Sequence, residues 1–139
     1  MSMTPLDARP DIAAGSVIGG DSAAVFDAPI TLYSNDEKDC RTLDGVVDTR
    51  TRYSIVPATI LQGLGITPQS KRICELPCGT LAYLPCARPR VILNGKSSRP
   101  VVLFGQDSRQ VIIGQSTLIG LALAADPKNK RFVNSVLCL

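Results

Sequence analysis

The chain has 139 residues, room for one domain of ordinary size. Its 45% apolar and 19% charged residues exclude a disordered chain, and a net charge of +3 is too small and too scattered to point to nucleic acid. It contains no histidine, which excludes a Ser-His-Asp triad, a Cys-His pair and a zincin helix, so any catalysis must run on carboxylates, cysteine, lysine, tyrosine or a bound cofactor.

Residues 1–24 are rich in Ala, Gly, Ser, Asp and Pro and lack apolar periodicity. They read as a flexible N-terminal extension, leaving 25–139 as the domain. Order is expected from Val25-Phe26, with a short alternating strand at Ile30-Thr31-Leu32-Tyr33 and a charged turn over 34–39. Leu43 to Val47 runs apolar into Asp48, and Tyr53 to Val56 reads as another strand. Pro57 to Ile66 predicts one short helix, with proline in its first turn and Gly65 at its C-terminal stop.

Two strands between Lys71 and Leu93 flank a turn near Pro77-Cys78-Gly79-Thr80, which predicts a hairpin. Asn94-Gly95 between the runs Arg90–Leu93 and Pro100–Phe104 predicts a second one. Gln110 to Gly114 is a continuous apolar run, as expected of a buried strand. A short helix or turn at Thr117–Leu121 follows, then Leu123 to Asp126, a turn at Pro127–Lys130, and a final strand from Arg131 to Leu139. Ten prolines, eleven glycines and no tryptophan favour short elements and a β-rich fold.

The first ten residues have no apolar core for a signal peptide, and the longest apolar stretch, Leu118 to Ala125, is far short of the ~20 residues that span a bilayer. The five cysteines form no CxxC pair and read as reduced thiols of a cytoplasmic protein. The x3 and x7 spacings of Cys74, Cys78 and Cys86 fit no common zinc module, so no metal is expected. The basic residues Arg88, Arg90, Lys96, Lys128, Lys130 and Arg131 read as solvated surface, since the few aromatics are not interleaved with them.

On the residues alone, an aspartate after Val46-Val47 suits a strand end or turn as well as a site. The ordered set Gly45-Val46-Val47-Asp48-Thr49, Tyr53-Ser54-Ile55-Val56-Pro57, Leu64-Gly65-Ile66, Ile112-Ile113-Gly114, Thr117-Leu118-Ile119-Gly120-Leu121 and Asp126-Pro127 resembles the single-lobe, retropepsin-like aspartic proteases over roughly residues 25 to 135. The resemblance implies an all-β, mostly antiparallel closed barrel with one or two short helices, paired as a homodimer. It implies an aspartic endopeptidase acting on a peptide or protein, with no cofactor. Asp48 would be the catalytic aspartate, and the Thr49 hydroxyl would brace the loops across the dimer. Ile113 and Gly114 would pack beneath the loop. Pro77, Cys78, Gly79 and Thr80 would form the tip of a flap closing over substrate.

Such chemistry needs two carboxylates sharing one proton, and the chain offers one suitable loop, so the second Asp48 would come from a twofold copy. The end of the chain, Phe132 to Leu139, is the candidate for interdigitating with that copy. Arg50 stands where the family has glycine, with Thr51-Arg52 after it. An arginine there crowds the substrate side of the loop and works against two aspartates sharing a proton. It also opens an alternative: an inactive relative serving as a peptide-binding or assembly module, with Arg50 and Arg52 suited to acidic peptides.

Overall fold

The computed structural model describes residues 25–75, 78–107 and 110–135. The N-terminal extension, Pro77 and the last four residues of the expected C-terminal strand lie outside the described residues.

Among the described residues, eleven strands and two short helices follow one another. The first strand, β1 (Val25–Tyr33), places Phe26, Ala28, Ile30 and Leu32 on its inner face, while Val25, Asp27 and Pro29 face outward. This is the period-two alternation that a strand half in water requires. It pairs antiparallel with β2 (Cys40–Asp48), and the pairing carries Asp48 opposite Val25 at the end of the hairpin. Next come β3 (Ser54–Pro57) and α1 (Ala58–Gly63).

The end of α1 is built as its sequence suggests. Gly65 takes φ +73°, its N–H donates to the Gln62 carbonyl at 2.9 Å, and the Ile66 N–H donates to the Leu61 carbonyl at 2.9 Å. That pair of bonds is a Schellman cap, and it drives Ile66 into the core. At the other end of α1 the Thr59 N–H is taken by the Asp107 carboxylate at 3.1 Å.

The hairpin of β4 (Ser70–Glu75) and β5 (Leu81–Ala87) comes next, then β6 (Val91–Leu93) and β7 (Lys96–Ser98). Asn94 and Gly95 take φ +52° and +77°, the two positive values that a two-residue hairpin turn needs. The turn is where the sequence places it, but its second strand is the short polar Lys96–Ser98 and not Pro100–Phe104. Strand β8 (Val102–Gly105) instead runs parallel to β3 and antiparallel to β5, where its three apolar residues are buried.

The last elements are β9 (Val111–Ile113), α2 (Gln115–Gly120), β10 (Leu123–Asp126) and β11 (Arg131–Asn134). The β10–β11 turn is held by Asp126, whose carboxylate accepts the Asn129 side-chain amide at 2.8 Å and the Lys128 N–H at 3.2 Å. The hydrogen bonds of Asn129, first from its side chain and then from its backbone, hold the Asp126 carboxyl below the usual carboxylate range.

The fold is therefore all-β with two short helices, and its nine-stranded sheet runs in the order β4-β5-β8-β3-β9-β2-β1-β6-β7. Of its neighbouring pairs, β3–β8 and β2–β9 are parallel and the others antiparallel. Closure into a barrel, expected from the resemblance, is not found: β4 and β7 end the sheet and do not pair with each other. The reason lies in the terminal hairpins. The β4–β5 hairpin holds Ile73, Leu81 and Tyr83 in solvent, and β7 is three residues of polar chain. The apolar face of the hairpin has no counterpart on the short polar β7, so the two ends of the sheet do not match.

The core lies between the inner face of β1, the ends of β2 and β9, and the helices, with Ile30, Leu32, Val47, Leu61, Ile113 and Leu118 almost wholly buried. Phe132 of β11 joins it beside Phe26, ring centroids 5.3 Å apart.

Ala122, just after α2, takes φ +55°, with its N–H on the Ile119 carbonyl at 3.1 Å. A left-handed L-residue costs about 1–2 kcal/mol, and glycine there loses part of that gain through its unfolded-state entropy. Ala122→Gly is therefore expected to stabilise the fold by roughly 0.5–1 kcal/mol, read as a higher urea midpoint.

Candidate active site

Asp48 closes β2 and begins a five-residue loop that returns as β3. The loop is shaped by two local bonds. The Asp48 carboxylate accepts the Arg50 N–H at 3.0 Å, an Asx turn, and the Asp48 carbonyl accepts the Thr51 N–H at 3.1 Å. The loop is then strapped to the start of α2. The Gln115 N–H donates to the Thr51 carbonyl and the Ser116 N–H to the Arg52 carbonyl, each at 2.8 Å.

Beneath the strap lies a buried hydroxyl pair. Ser54 Oγ sits 2.6 Å from Thr117 Oγ1 and accepts the Gly114 N–H at 3.0 Å. The chains pass so closely that a Cβ on Gly114 would lie 2.5 Å from both the carbonyl carbon and oxygen of Tyr53. Only glycine fits at 114. A similar closeness joins β2 to β9, where a Cβ on Gly45 would meet Ile113 Cδ1 at 2.9 Å.

Asp48, Thr49, Arg50, Ile113 and Gly114 are thus brought together. Val47 pairs with Ile113 across parallel strands, so the Asp48 loop and Gly114 leave the sheet side by side. The Asp48 side chain is 13% exposed and that of Arg50 51%. Arg50 folds back onto its neighbour: Nε lies 3.1 Å from one carboxylate oxygen and a terminal nitrogen 3.3 Å from the other. With the backbone bond, Arg50 supplies three donors to the Asp48 carboxylate.

Cys78, Gly79 and Thr80 do form the β4–β5 turn, with Gly79 at φ +86°, but no hydrogen bond or ion pair joins them to Asp48 among the described residues. Cys78 Sγ lies 3.2 Å from Thr80 Oγ1. The Thr80 side chain first, and its backbone second, hold the Cys78 thiol below its usual range, whereas burial pushes Cys74 up. One link from this hairpin to the loop is Arg72 of β4, whose guanidinium lies over the Tyr53 ring, 5.7 Å from its centroid. Arg52 lies over the same ring at 5.6 Å.

Sequence reasoning missed Ser54, Thr117, Tyr53 and Arg72. The first two carried a signal, a hydroxyl inside an apolar run, which implies a buried partner. Gln115 Oε1 and Ser116 Oγ are also buried at the strap and make no hydrogen bond among the described residues. No group of three or more cysteine, aspartate or glutamate side chains suited to a metal occurs among the described residues. Nor is any described helix long and apolar enough to cross a membrane.

Compared with known proteins, the chain matches no family model and no curated protein.

Gly114→Ala is expected to cost more than about 3 kcal/mol, because the clash is with backbone. Ser54→Ala should cost roughly 2–4 kcal/mol, since it strands both the Thr117 hydroxyl and the Gly114 N–H, whereas Ser116→Ala should be near neutral. Urea unfolding of the three variants checks the order. At the hairpin tip, Thr80→Val should slow iodoacetamide labelling of Cys78 at neutral pH, because the thiol returns toward its usual range and less thiolate is present.

Proposed function

We propose that this chain is a retropepsin-like aspartic endopeptidase that works as a homodimer, with one Asp48 carboxylate from each protomer. The observation that carries the reading is the mounting of Asp48. A short turn at a strand end is fixed from behind by two backbone hydrogen bonds to α2 and by the tight passage of Gly114 under Tyr53. A loop held this rigidly presents its carboxylate in one position, which a shared-proton pair demands.

In the reaction, one carboxylate takes a proton from water while the other, protonated, donates to the carbonyl oxygen of the scissile amide. The tetrahedral adduct then collapses as the amide nitrogen takes a proton and leaves. A twofold partner is a requirement of this chemistry. In support of pairing, β11 bonds to β10 alone among the described strands, and Val25 and Val133 are exposed at that end of the molecule.

A second reading has its own observation. The Arg50 guanidinium takes both oxygens of Asp48, which competes with a partner carboxylate or a water for the same lone pairs. That geometry suits an inactive relative that binds peptides or assembles through the same surface.

The expected result is a dimer at micromolar concentration by sedimentation and slow cleavage of peptide pools on the acid side of neutrality. Asp48→Asn should abolish cleavage and keep the dimer. Arg50→Gly should raise turnover about tenfold or more, the scale of losing one charge-assisted pair, since the fork is gone while the residue-50 N–H can still form the Asx turn. Cleavage surviving Asp48→Asn overturns the aspartic mechanism. A silent wild type and a silent Arg50→Gly that both retain peptides establish the second reading.

A further inference from the structure

Tyr53 carries two guanidiniums on one ring, Arg52 from the loop and Arg72 from β4, at 5.6 and 5.7 Å from its centroid. Each contact is favourable by itself, but two cations gathered on one ring repel each other. Four other arginines are paired with carboxylates. Arg50 pairs with Asp48, Arg90 and Arg99 share Glu37, and Arg131 pairs with Asp126. Arg52 and Arg72 have no carboxylate partner among the described residues, and both are exposed.

From this arrangement we propose that Arg52 and Arg72, held on Tyr53, form a subsite for an aspartate or glutamate side chain of a peptide lying across the Asp48 loop. The inference rests on the peptide-binding surface described above, and it holds for the cleaving and the non-cleaving reading alike. Charge complementarity selects the occupant. Stacking on an aromatic face leaves the edge N–H donors of a guanidinium pointing outward, and that edge matches a carboxylate. Contact with the ring keeps both guanidiniums in one neighbourhood, which lowers the rotamer freedom lost on binding. Position adds to this. Arg52 lies four residues beyond Asp48 on the strapped loop, while Arg72 comes from the hairpin, so a peptide between the two elements meets both. Arg50 is not part of the subsite, since its fork is on Asp48.

The test is an array of randomised octapeptides with one position fixed as glutamate or as glutamine, probed with the labelled full chain. Wild type is expected to retain the glutamate pools about tenfold better at one position, the discrimination of one charge-assisted pair. Arg52→Gln and Arg72→Gln should each bring that ratio close to one, with melting temperatures unchanged because both side chains are on the surface. Tyr53→Leu should lower the ratio while leaving the net charge as it is. Arg99→Gln, which removes an equal charge elsewhere on the surface, should leave the ratio standing. Equal retention of glutamate and glutamine pools overturns this inference alone. So does a ratio that falls as far in Arg99→Gln as in Arg72→Gln, because the preference would then be a net-charge effect. No retention of any pool overturns the peptide-binding reading and this subsite with it.

Discussion

The passage of Gly114 beneath Tyr53 is the constraint on which the rest of the molecule depends. A Cβ at residue 114 has no room, because Tyr53 backbone atoms lie 2.5 Å away. That closeness lets the Gly114 N–H reach Ser54 Oγ and puts the first N–H groups of α2 on the Thr51 and Arg52 carbonyls. The loop after Asp48 therefore spends its polar backbone on another segment of chain, 63 residues away at the Ser54–Thr117 pair. Each bond is worth about 1 kcal/mol net, but breaking one strands a buried group and costs more. The strap acts as a unit, and Asp48 stands where the strap puts it.

Charge is distributed around this unit in two ways. Beside Asp48, a cation is matched one to one by a carboxylate, with Nε and one terminal nitrogen of Arg50 on its two oxygens. A few residues on, two cations are gathered on an aromatic ring without an anion among the described residues. The first arrangement engages both oxygens of a carboxylate, and the second leaves two exposed guanidiniums without an ion-pair partner among the described residues. The loop supplies Asp48, Arg50, Arg52 and Tyr53 to these two arrangements, and β4 adds Arg72.

The terminal hairpins explain why the sheet stays open. Strands β4 and β5 carry three large apolar residues, Ile73, Leu81 and Tyr83, on a face that no described element covers. At the other end the Asn94-Gly95 turn returns the chain at once, so on its outer side β6 has only the polar Lys96–Ser98, its other side being paired with β1. Between these ends the buried centre is held by β3 and β9, short strands with neighbours on both sides.

What the sequence by itself determined is local. The alternation of β1, the left-handed glycine after α1, the two-residue turn at Asn94-Gly95, the buried run at Val111–Ile113 and the placing of Asp48 at a strand end are all written in neighbouring residues. Periodicity and turn chemistry act over a few residues, so they can be read without knowing the fold. The tertiary structure alone decided which strands meet. The run Pro100–Phe104 suits the return strand of the Asn-Gly hairpin, yet the apolar residues of Val102–Gly105 are buried between β3 and β5 and do not pair with β6. The same holds for the parallel pairing of β2 with β9, the hydroxyl bond between Ser54 and Thr117, the turn of Arg50 onto Asp48 and the stacking of Arg72 on Tyr53. Except for Arg50, these contacts join residues far apart in the chain, and close packing chooses among them. For Arg50 the choice is one of side-chain direction, fixed once the strap has set the loop.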